Sequence, residues 1–207
     1  MMMVPKKTKH RTFRRNSGFK NKFVKYVICV EGRVTEKEYF RIFKCQDATI
    51  DIQIINNKSK SHPKYVFDKL KEYLANNELK PSKLNKAWMV IDRDPGDRSE
   101  AQLSQVFNDC LKHNYNFALS NPCFELWILF HFLNPSSGEV NTAKKCRDRL
   151  KIVLPNYAKN NVEINKLRSK IKFAIETAKI KDNPPCEDWP RKVGTTVYKL
   201  VEKLYQE

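Results

Sequence analysis

Four short apolar runs, each followed by a segment of helical periodicity, constrain this chain more than any other feature. Tyr26-Val-Ile-Cys-Val30, residues 50–55, Ala87-Trp-Met-Val-Ile91 and residues 117–120 are β-type in composition. The first and third are continuously apolar rather than alternating, the pattern of strands buried on both faces. Between them lie helical patterns: residues 35–43, opened by a Thr35-Glu36-Lys37-Glu38 capping box; residues 63–74, opened by Pro63; and residues 100–112. Pro122 precedes an apolar helix over 124–132, and further helices are predicted over 143–153, 162–180 and 195–204. Repeated β–α units with buried strands predict an α/β fold with a mostly parallel four-stranded sheet flanked by helices and a helical C-terminal extension. The expected organisation is a flexible arm over 1–24, an α/β core over 25–135 and a helical extension over 136–207.

A chain of 207 residues, 41% of them apolar, is large enough to bury a core without disulfides or a structural metal. Its six cysteines stand singly, with no C-x-x-C pair and no histidine at zinc-finger spacing, so they are expected to be reduced. No apolar run reaches the ~20 residues of a membrane span. The first 25 residues carry no apolar block, so neither a secretory signal nor a membrane partner is expected, and the predicted location is cytoplasmic.

The net charge of +17 is unevenly placed. Residues 1–25 carry nine Lys or Arg and no acid; residues 26–140 carry 15 of each sign; residues 141–207 carry 16 basic and eight acidic side chains. A balanced body between two basic ends points to nucleic acid as a partner, held through phosphate contacts and therefore sensitive to salt.

In open parallel sheets the chemistry sits beyond the carboxyl ends of the strands, where strand order reverses. Three acids stand at such ends. Glu31 follows the first strand, and Asp92 and Asp94 follow the third in Val90-Ile-Asp-Arg-Asp-Pro-Gly96. Alternation along an extended segment gives Asp92 and Asp94 the same facing. If strands 1 and 3 are neighbours, the three carboxylates converge, repel one another and attract a cation. Oxygen donors of this kind suit Mg²⁺ or Mn²⁺. Glu125, in the first turn of an otherwise apolar helix, is either a dipole-favoured acid or a further member of that group. Arg33, Lys37, Arg93 and Arg98 flank the acids and are candidate phosphate ligands. Glu36 and Glu38 fit the capping box, although Glu36 could also face the acids. His131 reads as a satisfied core histidine and Asp97 as a solvated turn residue. There is no G-x-x-x-x-G-K-[ST], no G-x-S-x-G and no H-E-x-x-H.

At these residues the chain resembles the Toprim domain, the metal-binding catalytic fold of topoisomerases, primases and several nucleases. That fold has a glutamate after its first strand and a D-x-D after its third. More narrowly it resembles the RloB family, small Toprim-like proteins associated with bacterial anti-phage and restriction-type defence loci. The carrying segments are Cys29-Val-Glu-Gly-Arg-Val-Thr-Glu-Lys-Glu-Tyr-Phe40, Ile91-Asp-Arg-Asp94 and Ser120-Asn-Pro-Cys-Phe-Glu-Leu-Trp127, spanning about half the chain. The resemblance implies a Mg²⁺-dependent nuclease cutting DNA or RNA. In that reading Glu31 is general acid/base and a possible metal ligand, Asp92 and Asp94 hold the ion, and an ATPase encoded in the same locus is a candidate partner. Two other readings stay open: a non-catalytic nucleic-acid-binding or adaptor subunit of a defence complex, and primase-like nucleotidyl transfer.

Overall fold

The structure, a computed structural model, describes residues 24–32, 34–44, 50–56, 62–93, 99–160 and 162–206. The basic arm, but for its last residue, lies outside them, as do Arg33, Asp94, Asp97 and Arg98.

In chain order the elements are β1 (Val24–Val30), α1 (Thr35–Phe40), β2 (Ile50–Asn56), α2 (Pro63–Asn76), β3 (Asn85–Asp92), α3 (Glu100–Lys112) and β4 (Asn116–Asn121). There follow α4 (Glu125–Phe130), α5 (Ala143–Val153), α6 (Ile164–Arg168), α7 (Ile171–Lys181), β5 (Gly194–Thr195) and α8 (Val197–Gln206). Among the described residues they form an α/β fold around one sheet of order β2-β1-β3-β4-β5. The pairs β1–β2, β1–β3 and β3–β4 are parallel, and β5 runs antiparallel to β4.

The sheet thus has five strands where four were expected. The fifth is two residues long, too short to carry any periodicity, and exists because Thr195 and Gly194 pair with Ser120 and Asn121 at the carboxyl end of β4. Two helices also differ from the expected patterns. The stretch 162–180 is broken at Ser169 and Lys170 into α6 and α7. The capping box expected at Thr35 does not form: Val34 occupies the N-cap without a side-chain bond, and a 3-10 turn (Arg41–Phe43) ends the segment. A capping box does close α3, where Ser99 and Gln102 satisfy each other's backbone N–H groups.

Strand alternation divides the core. Tyr26, Ile28 and Val30 of β1 face one layer, with Tyr39 and Phe40 of α1, the buried α4 and the apolar faces of α5, α7 and α8. Val27 and Cys29 face the other, with Val66, Phe67 and Leu70 of α2, Leu103 and Val106 of α3, and Trp189. Helices therefore cover both sides, which is why β1 and β3 are apolar without alternation. His131 is fully buried; its Nδ1 donates to the Trp127 carbonyl at 3.1 Å and Tyr39 Oη donates to Nε2 at 3.3 Å. Burial lowers its pKa to about 4, so it is a neutral core residue. The described cysteines are free, and burial pushes the Cys29 and Cys110 thiols up to about 12, leaving them protonated and inert.

Candidate functional site

The chain leaves β1 towards β2 on one side, then returns to place β3 on the other, so strand order reverses between β1 and β3. Their register pairs Val30 with Val90. One residue further, Glu31 N donates to the Val90 carbonyl at 3.1 Å, extending the ladder beyond the strand. The Glu31 carboxylate then turns across to β3, where its Oε2 accepts from the backbone N–H of Asp92 at 3.2 Å. Two acids on neighbouring strands are therefore tied together at the sheet's carboxyl edge.

Glu36 joins them. It lies in the first turn of α1, is only 6% exposed, and its Oε1 accepts from the backbone N–H of Gly32 at 3.0 Å. A β-carbon on Gly32 would stand 1.9 Å from Glu36 Oε2, so the absence of a side chain at 32 is what allows this carboxylate to lie over the backbone. From the end of β4 comes Glu125, also 6% exposed, in the first turn of α4. Burial, followed by the charges of Glu125 and Glu31, raises the pKa of Glu36 from its ordinary 4.5 to about 7. Glu38 turns away and pairs with Arg41 at 2.7 Å.

Glu36, Asp92 and Glu125 line one cavity of about 370 Å³, together with Gly32 and Val34 from the β1–α1 connection, Thr35 at the start of α1, and Cys123 and Phe124 from the β4–α4 connection. Cys123 is no nucleophile, since its hydrogen bond with Cys146 and its burial raise its pKa and keep the thiol protonated. Ala143 and Arg147 of α5, and Lys159 from the loop between α5 and α6, complete the wall. Among the described residues, no three carboxylate, histidine or cysteine side chains are grouped to hold a metal ion.

Of the candidate phosphate ligands, Arg93 is engaged within the fold: one guanidinium nitrogen donates to the Arg191 carbonyl at 2.7 Å and another to Glu100 Oε1 at 2.6 Å. Lys37 is half-buried on α1 and outside the cavity wall. Arg33, Arg98 and Asp94 fall outside the described residues.

Sequence comparison decides the family. The model of RloB-like proteins matches residues 26–204, nearly all of the chain. The chain belongs to the RloB-like family. The match runs from β1 through α8, so the membership covers the acid-bearing edge and the C-terminal helices alike. No curated protein and no solved structure matches this RloB-like chain. No helix of its described residues is long and apolar enough to cross a membrane.

Two residues of the site carried weak sequence signals. Glu36 sits in a Thr-Glu pair that reads equally as a helix start; the signal that separates it is Gly32 four residues before, which leaves room for its carboxylate. Arg147 lies among the basic residues of α5, and only tertiary packing distinguishes it from its neighbours.

Proposed function

We propose that this RloB-like protein is a Toprim-type, Mg²⁺- or Mn²⁺-dependent nuclease that hydrolyses phosphodiester bonds of DNA or RNA, acting in the cytoplasm in anti-phage or restriction-type defence. One observation carries the reading: Glu36, Asp92 and Glu125, from three separate β-strand ends, line one cavity at the point of strand reversal, and Glu31 is hydrogen-bonded to the Asp92 backbone beside it. Burial, and after it the charges of Glu125 and Glu31, raise the pKa of Glu36, and a divalent cation beside these acids would relieve the repulsion among them. Their oxygen donors suit a hard ion.

Asp92 would hold the ion, with Glu31 beside it and Asp94 two residues further along the chain. When bound, the ion supplies Lewis-acid polarisation of the scissile phosphate. Glu31, fixed by the Asp92 N–H, takes or returns the proton at the reacting oxygen. Glu36 and Glu125 line the back of the site with further carboxyl oxygens that a bound cation would favour in the ionised form. The basic arm and the basic C-terminal third would hold the strand, and an ATPase of the same locus would be a partner.

The test is a cleavage panel with Mg²⁺ and Mn²⁺ over single- and double-stranded DNA, structured RNA and transfer RNA. Asp92→Asn and Glu31→Gln should each lower the cleavage rate at least ~10²-fold, the usual contribution of a catalytic acid or base, while salt-sensitive binding stays near wild type. Binding without cleavage of any substrate by either metal would instead make the protein a nucleic-acid-binding adaptor, and primer extension would indicate nucleotidyl transfer.

A further inference from the structure

The wall facing the acids is basic and comes from a distant part of the chain. Thr142 caps α5 by accepting from Lys145 N at 3.2 Å, and the helix turns Ala143 and Arg147, four residues apart, towards the same cavity. Buried Cys146 and Leu150 seat that helix on the core. Lys159 lies just after Tyr157, whose buried ring anchors the α5–α6 loop, and its carbonyl accepts a long bond from the Thr35 hydroxyl at 3.5 Å.

Arg147 differs from every other described arginine. Arg41 pairs with Glu38, Arg93 with Glu100, Arg149 with Glu139 and Arg191 with Asp188, while Arg168 donates to the Ile42 carbonyl. Arg147 is half-buried, yet among the described residues it makes neither an ion pair nor a side-chain hydrogen bond. Arg147 thus shares the cavity with Glu36, Asp92 and Glu125 without pairing with any described carboxylate.

That arrangement fits a ligand with two ends of opposite demand: an anionic group to meet a planar, five-donor fork, and a reacting centre to meet the acids. We propose that Arg147 and Lys159 form the phosphate subsite of this cavity and grip the backbone of a nucleic-acid strand opposite Glu36, Asp92 and Glu125. This inference rests on the nuclease reading for its ligand class, and it moves the phosphate grip from the residues flanking the acids in sequence to the C-terminal third. Arginine is suited to the position because its fork meets two phosphate oxygens at once, whereas a lysine contributes a point charge.

The experiment uses the full chain carrying Asp92→Asn, so that no strand is cut, and follows binding of short fluorescent deoxythymidine and uridine homopolymers by anisotropy across a salt series. Arg147→Gln, which keeps a polar side chain but removes the charge, should weaken binding about tenfold and lower the slope of log K against log salt by about one. Arg147→Lys should restore the slope but only part of the affinity. Lys159→Ala should show a smaller loss, reversed by Lys159→Arg. Lys69→Ala, on α2 at the opposite face and paired with Glu72, should bind as the parent does. Unchanged affinity and slope in both Arg147→Gln and Lys159→Ala, with melting temperatures held, would overturn the subsite. The two readings fail separately. Loss of binding in a protein that cleaves nothing leaves the subsite standing without the nuclease. Cleavage by an Arg147→Gln protein with wild-type KM leaves the nuclease without the subsite.

Discussion

Two buried titratable side chains pull the pH dependence of stability in opposite directions. Glu36 has its pKa raised from 4.5 to about 7, so its contribution is complete below pH 4.5 and is lost as pH rises towards 7, when a buried carboxylate must ionise beside Glu125 and Glu31. His131 has its pKa lowered from 6.5 to about 4, so its contribution is complete above pH 6.5 and is lost as pH falls towards 4. Each effect is worth at most about 3 kcal/mol, and between pH 4.5 and 6.5 they offset each other. In metal-free buffer Glu36→Gln should therefore be more stable than wild type at pH 8 and no more stable at pH 4. Its acid limb should be steeper, because His131 is no longer opposed. Chemical denaturation at several pH values measures all three. An advantage for Glu36→Gln that persisted at pH 4 would mean the glutamate is unfavourable for a reason other than charge.

The connection from β1 to α1 shows how one missing side chain shapes an element. Gly32 offers its N–H to Glu36, and its lack of a β-carbon lets that carboxylate lie over it. The obstructed atoms belong to the mobile end of a side chain, so Gly32→Ala should fold, at a cost near the ~1 kcal/mol of one hydrogen bond, with Glu36 swung out of the site. In a Glu36→Ala background the added methyl should cost less, and a thermal double-mutant cycle would register the difference as coupling between the two positions. Equal costs in both backgrounds would remove Gly32 from this role. The strands next to this connection were legible in the sequence because they are short, β-branched-rich apolar runs without alternation, the pattern of strands covered on both faces. The β–α alternation gave parallel strands but not their order; the pairing of β1 with β3, on which the convergence of Glu31 and Asp92 was conditional, is what the structure adds. Glu36 was harder to place, since an acid in a first helical turn satisfies the dipole whether or not it serves a site. Arg147 was indistinguishable from its basic neighbours: it shares a cavity with the acids only because α5 packs on α4, over a hundred residues after β1.

At the scale of the molecule, the chain after α7 ties the two layers together. It crosses the edge of the sheet to bury Trp189 against Phe107 and Phe117, with ring centroids 5.6 and 6.2 Å away, and then returns as β5 and α8 to the opposite layer. Asn121, at the end of β4, holds that crossing: its side-chain amide faces the carbonyls of Pro190, Arg191 and Lys192 at 3.2, 3.1 and 2.9 Å. The Arg191 guanidinium stacks 4.0 Å from the Trp189 ring and pairs with Asp188. Trp189→Ala should cost about 3–5 kcal/mol, as for other large aromatic side chains removed from a core. Because Trp189 sits in the layer of α2 and α3, the loss should appear in equilibrium unfolding as destabilisation of the whole domain. Hydrogen exchange confined to residues 183–193 would show instead that the crossing opens independently.

The same crossing sets an order of events during synthesis. The edge of β4 stays unpaired, and the layer that supports α4 and its glutamate stays incomplete, until Gly194 and Val197 have emerged from the ribosome. Carboxylates made early thus acquire their final surroundings only near the end of translation, and a nascent chain arrested before that point would carry the acids without the enclosure that gives them a common purpose.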